Sequence, residues 1–220
     1  MPNSIIKRVA ACSCACLAFA FGRAAIAGDL HTIGYANGAQ QFSLSMGGSP
    51  GAGGFYGTWN GDPIVFWCVE LDQYFGFGNT YTYSASLPDS PVFTLLGELF
   101  HEAYGSALTD STHSAAFQLA VWEIFFDSGS LNLSSGNFRV VNDDGHTDAV
   151  TIAQGWLNGL SNSVDDVDVF YLVNDGHQNF ITNTNIKLPR TQTVPEPSTL
   201  WLMLAAAMTL AALARRRGRG

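Results

Sequence analysis

Two side chains in this 220-residue sequence stand out by their chemistry and surroundings: the thiol of Cys68, in "VFWCVELDQ", and the carboxamide of Gln118, in "AAFQLAVWEIFFD". A thiol is a nucleophile only as the thiolate, so its surroundings decide its reactivity. A carboxamide on an apolar helix must find partners for its donors and acceptor, because burying it unpaired is costly. Gln118 stands among Ala115, Phe117, Leu119 and Val121, with Trp122 one turn further on the same face. The plainest outcome is a buried glutamine bonded to a neighbouring backbone.

Cys68 matters because the rest of the chain leaves it alone. Lys7 and Arg8, the apolar "VAACSCACLAFAF" at 9–21 and the small residues of "AIA" at 25–27 read as a secretory signal over 1–27, cleaved after Ala27. Cys12, Cys14 and Cys16 lie inside it. Ser13 occupies the position where a lipoprotein signal would carry Leu before Cys16, so that reading fails. Cleavage leaves Cys68 as the single cysteine, and an internal disulfide becomes impossible. An intermolecular disulfide, a free reactive thiol or something rarer remains.

The far end, 194–220, carries Pro195, Glu196 and Pro197, an apolar stretch at 198–214, then Arg215, Arg216, Arg217 and Arg219. The stretch is just long enough for a transmembrane helix, and the arginines would hold its end in the cytoplasm. This three-part order resembles the PEP-CTERM sorting signal. That resemblance implies a Gram-negative producer with an exopolysaccharide-rich envelope. It also implies an exosortase, a membrane transpeptidase-like enzyme, that removes the tail. The expected location is across the inner membrane, in the envelope, on the outer surface or in the extracellular matrix.

Between the signals, 28–193 is one domain's worth of chain, long enough to bury a core. It holds seventeen acidic residues against three basic ones, Arg139, Lys187 and Arg190. Nucleic-acid binding needs Lys and Arg on the phosphates, so it is excluded as a function. An acidic surface also suits solubility outside the cell. Short segments punctuated by Gly, with turn signals at Asn37-Gly38 and Asn60-Gly61, read as strands, and 79–87 alternates as another. Helices are predicted over 91–105, with Ser90 as cap and Pro91 in the first turn, over 111–126, and over 147–160. Late strands come at 166–173 and 178–183. The order predicts an α+β domain: a β-sandwich or barrel-like frame with an inserted helical subdomain.

"FWCVEL" and "FQLAVW", in that order in an exported chain, resemble the two signature motifs of bacterial thioester domains, the Cys-Gln surface adhesin modules. The resemblance spans about 65–127. It implies that 28–193 is a thioester-type domain, with Cys on a strand and Gln on a helix. It further implies that the Cys68 sulfur attacks the Gln118 side-chain carbonyl, ammonia leaves, and an internal thioester forms. An amine or hydroxyl on a target surface, protein or polysaccharide, would then take the acyl group in a single turnover. That makes the protein an adhesin and not an enzyme, with no catalytic residue, metal or cofactor. Trp67 and Trp122 would shield the site, with Phe66, Tyr74, Phe75 and Phe117 as further candidates. Amide attack also calls for thiolate character at Cys68 and donors for the oxyanion. The competing reading is a passive exopolysaccharide- or biofilm-associated structural protein with an unreacted Cys68.

Other constellations give less. "HEAYG" at 101–105 lacks the second His of a zinc-protease helix. "NDDGHTD" at 142–148 departs from the spacing of a calcium loop. A papain-like hydrolase would place Cys at a helix N-terminus, whereas Cys68 sits in a strand-like run. His113, Glu70, Asp72 and Glu123 are candidates for moving protons.

Overall fold

The computed structural model describes residues 25–161, 167–184 and 186. The signal core and the tail, including the expected transmembrane helix at 198–214 and the Pro195–Glu196–Pro197 motif, lie outside the described residues. Among the described residues no helix is long and apolar enough to cross a membrane.

Among the described residues ten strands occur in chain order: β1 Ile26–Tyr35, β2 Gln40–Gln41, β3 Ser43–Leu44, β4 Gly51–Ala52, β5 Phe55–Trp59, β6 Asp62–Cys68, β7 Thr80–Ser86, β8 Val140–Asn142, β9 Phe170–Val173 and β10 Phe180–Thr182. Six of them close into a barrel in the order β1-β5-β6-β10-β9-β7, every neighbour antiparallel. Of the two frames expected, the chain builds the barrel. Closure leaves the six strands without a free edge. Asn60 and Gly61, at φ 51° and 93°, make the two-residue β5–β6 turn between the paired Trp59 and Asp62. Both central residues are left-handed, which matches the twist of the hairpin and explains the Asn-Gly signal. β1 starts at Ile26, and Ile26 and Ala27 pair with Ala85 and Ser84, so the strand begins two residues before the expected cleavage point.

Among the described residues three helices fall between β7 and β9: α1 Pro91–Ala107, α2 Ser111–Asp127 and α3 Thr147–Gly159. α1 runs past the expected stop at Gly105, because Ala103 and Ala107 are both fully buried. Their packing outweighs the roughly 1 kcal/mol cost of a helical glycine. Asp110 caps α2 by accepting from the His113 backbone N–H at 2.9 Å. α2 is buried without interruption from Ser114 to Ile124, the signature of a central helix enclosed on every side. It packs on α1, on α3 and on β6, and one buried core runs through barrel and helices together.

Candidate functional site

β6 enters the site as an alternating strand. Phe66 points into the barrel, where its ring lies 4.9 Å from that of Phe180, with Phe55, Phe75 and Tyr83 around them. Cys68 is directly opposite Phe180 in the ladder. The two-residue period therefore puts Cys68 on the inner face with Phe66. Trp67 faces out, its ring 4.6 Å from Phe117 on α2 and 5.6 and 5.7 Å from Phe100 and Tyr104 on α1. The residues immediately before Cys68 and Gln118 are thus in ring contact.

Val69 fixes the orientation of the Cys68 backbone. The Val69 N–H donates to the Asn179 carbonyl at 3.2 Å, toward β10. Antiparallel alternation then turns the Cys68 N–H and C=O to the opposite edge. On that edge β5 pairs with β6 only as far as Phe55 opposite Phe66. Gln118 takes the next position. The Cys68 N–H donates to Gln118 Oε1 at 3.1 Å, and Gln118 Nε2 donates to the Cys68 carbonyl at 2.8 Å. A carboxamide offers the donor and acceptor of a peptide unit, so the helix supplies a one-residue strand partner. Gln118 is 1% exposed and Cys68 8%.

Thiolate character was the expectation, and the structure corrects it. Cys68 is a free, buried thiol. Burial, and secondarily the Glu70 carboxylate, push its pKa far above the ordinary thiol range. The cause is position: a strand end facing aromatic rings, with an acid two residues on, lacks the cation or helix N-terminus that stabilises a thiolate. Arg139 is the sole Lys or Arg among the described residues, and it donates to the Gly136 carbonyl.

Glu70 is held by Asn179, which donates from its backbone N–H at 3.0 Å and from Nδ2 at 2.7 Å. Tyr83, whose hydroxyl donates to the Gln178 carbonyl at 2.8 Å, has its pKa raised by burial and then by Cys68. The other candidates are elsewhere. Glu123 is fully buried and accepts from the Asn132 N–H at 2.7 Å. Burial pushes its carboxyl up to about 7, against the lowering effect of that bond and with help from Asp127. The His113 ring is hydrogen-bonded to Asp110 at 2.8 Å at the start of α2. Asp72 is exposed, and Tyr74, 85% exposed, shields nothing. Trp122 is buried, with its ring against Phe138. An open cleft of about 890 Å³ lies between 132–143 and α3, lined by residues that include Asn132, Asp143 and Gln154, and it contains neither Cys68 nor Gln118.

Sequence reasoning missed Ser114 and Gly54, which adjoin the pair: the Gly54 N–H donates to Ser114 Oγ at 2.8 Å. A serine four residues before Gln118 is the one signal that could have found it.

Residues 193–218 match the family model of the PEP-CTERM protein-sorting motif. The tail is a PEP-CTERM signal. PEP-CTERM signals direct export and membrane or cell-surface sorting in bacteria, with processing by an exosortase. The PEP-CTERM match covers 193–218 and leaves the barrel and its helices to their own geometry. No curated protein and no solved structure matches the chain.

Proposed function

We propose that Cys68 and Gln118 form an internal thioester, and that the exported protein uses it once, as an adhesin and not an enzyme, to bind an amine or hydroxyl on a target surface covalently. The observation that carries this reading is the reciprocal hydrogen bonding of the Gln118 carboxamide to Cys68 itself. It holds an otherwise unreactive amide beside the only cysteine that signal cleavage leaves, which is how a fold raises effective molarity. The Cys68 N–H already donates to Oε1, the oxygen that becomes the oxyanion when sulfur attacks. The step balances: the S–C bond forms, the C–N bond breaks, and the thiol proton leaves with the amide nitrogen as ammonia. Capture reverses the roles. The nucleophile joins the Gln118 acyl carbon and Cys68 recovers its proton.

The raised thiol pKa fits storage. A thiol of high pKa is a slow leaving group, so a closed site keeps its acyl group until a target opens it. Trp67, packed on Phe117, supports exclusion of water on the helix side. The PEP-CTERM tail supports display at the surface or in the matrix of a Gram-negative cell, after exosortase removes the apolar segment.

A second reading has its own observation. Both polar atoms of Gln118 are satisfied by the Cys68 backbone, and a buried thiol with a raised pKa is inert. A passive matrix protein would look the same. Methylamine separates the two. Under the thioester reading it is incorporated at Gln118, mapped by peptide mass, and Cys68→Ala abolishes incorporation. Equal labelling of Cys68→Ala, or none of the wild type, overturns the reading.

A further inference from the structure

Ser114 is one helical turn before Gln118 on α2 and is fully buried. Its hydroxyl oxygen accepts from the Gly54 N–H at 2.8 Å. Gly54 directly precedes β5, as Cys68 closes β6, and these are the two strand ends where the β5–β6 ladder stops. The Gly54 carbonyl is used as well, accepting from the Ala36 N–H at 2.8 Å. α2 therefore touches the two separating strands with two side chains of one face, Ser114 on the β5 side and Gln118 on the β6 side.

The strands are locked together at this point. The Trp67 ring lies so close over Gly54 that a Cβ there would meet ring carbons at 2.9 Å. The same ring contacts Phe117, between Ser114 and Gln118 in sequence. A shift of α2 along its axis would break the Ser114–Gly54 bond and the Gln118–Cys68 pair together.

We infer that Ser114 is a positioning residue for the Cys68–Gln118 pair: its bond to Gly54 sets the axial position of α2 that puts the Gln118 carbonyl on the Cys68 N–H. This rests on the thioester reading for its chemical consequence, but its geometry stands apart from it. Ser114 acts through the helix and touches no reacting atom.

Ser114→Ala removes the acceptor and keeps the helix. Ser114→Thr restores a hydroxyl. Thr112→Ala is the control, because Thr112 Oγ1 accepts from Gln40 Nε2 at 2.9 Å and ties α2 to the same region without touching the ladder. Two readouts are needed. The first is the rate of ammonia loss on first folding, started from chain purified unfolded from inclusion bodies with Gln118 still an amide, and followed by intact mass. Ser114→Ala slows it at least about tenfold, Ser114→Thr recovers it, and Thr112→Ala leaves it at the wild-type rate. The second uses the Cys68→Ala background, where Gln118 stays an amide whatever the chemistry. Adding Ser114→Ala lowers the exchange protection of the Gln118 side-chain protons at least about tenfold, and adding Thr112→Ala does not.

Unchanged protection in Cys68→Ala/Ser114→Ala overturns the inference even if the thioester exists. Wild-type protein that never loses ammonia overturns the thioester reading, and the exchange result then decides on Ser114 alone. Equal effects of Ser114→Ala and Thr112→Ala in both readouts reduce Ser114 to an ordinary packing contact and overturn the inference too.

Discussion

Cys68 and Gln118 are fifty residues apart in sequence and joined by two reciprocal hydrogen bonds, 3.1 Å from the Cys68 N–H to Oε1 and 2.8 Å from Nε2 to the Cys68 carbonyl. The side chain of a helix thereby completes the ladder of a strand. The proposed chemistry depends on this one junction, and while Gln118 remains an amide the junction also contributes to stability.

In the Cys68→Ala background, where Gln118 stays an amide, Gln118→Ala leaves the residue-68 N–H and C=O buried without partners and opens a cavity in the core. The expected loss is about 2–4 kcal/mol, from the two orphaned groups together with the void. Urea denaturation of both proteins measures it. Gln118→Glu keeps the shape but puts an acceptor-only group opposite the Cys68 carbonyl, and it too loses stability.

The Cys68 thiol is expected to resist reagents in the folded state. Its pKa is raised by burial first and by Glu70 second, so the thiolate fraction at pH 8 is very small. Under the passive reading, a chromogenic disulfide titrates it only after denaturation. Under the thioester reading, denaturant alone exposes no thiol until an amine or water has opened the bond. Glu70→Gln lowers the thiol pKa, because it removes the second cause of the rise.

Glu123 gives a pH dependence whose sign can be worked out. Its folded pKa, about 7, lies above the unfolded carboxyl value of 4.5. Between these values the folded state binds more protons than the unfolded one, so stability falls as pH rises through this window and levels off above it. The span corresponds to at most roughly 3 kcal/mol. Glu123→Gln flattens the profile and is more stable than wild type at pH 8. Thermal melts from pH 4.5 to 8 read this directly.

Gly57 in β5 has no room for a side chain: an added Cβ would lie 2.1 Å from the His31 carbonyl oxygen in the neighbouring strand. Gly57→Ala therefore forces β1 and β5 apart and costs about 3 kcal/mol or more. Gly34→Ala, where nothing lies within 4 Å of the new carbon, is the matched control. Equal melting temperatures for the two variants would contradict the barrel packing described.

Much of this was legible in the sequence, for identifiable reasons. The helices over 111–126 and 147–160 and the strand at 79–87 were marked by their apolar period, and Asn60-Gly61 by the need for two left-handed residues. The C-terminal signal was legible because three unlike segments come in a fixed order. Cys68 and Gln118 could be paired only through their flanking residues, since nothing local to either side chain specifies a contact fifty residues away. Barrel closure was not legible, because β10 pairs with β6 and β9 with β7 across long intervening segments. The charge state of Cys68 was not legible from the sequence. The reaction calls for a thiolate, but the inner face of β6 decides the charge, and that face is aromatic.

The most direct test of the central claim is the intact mass of the purified, processed protein under native conditions. The account predicts a mass lower by one ammonia than the processed sequence requires. Methylamine should raise it by one amine, and the deficit should be absent from both Cys68→Ala and Gln118→Ala. A wild-type mass equal to the sequence mass, with one thiol titrating on unfolding, would contradict it and leave Cys68 and Gln118 as a buried hydrogen-bonded pair.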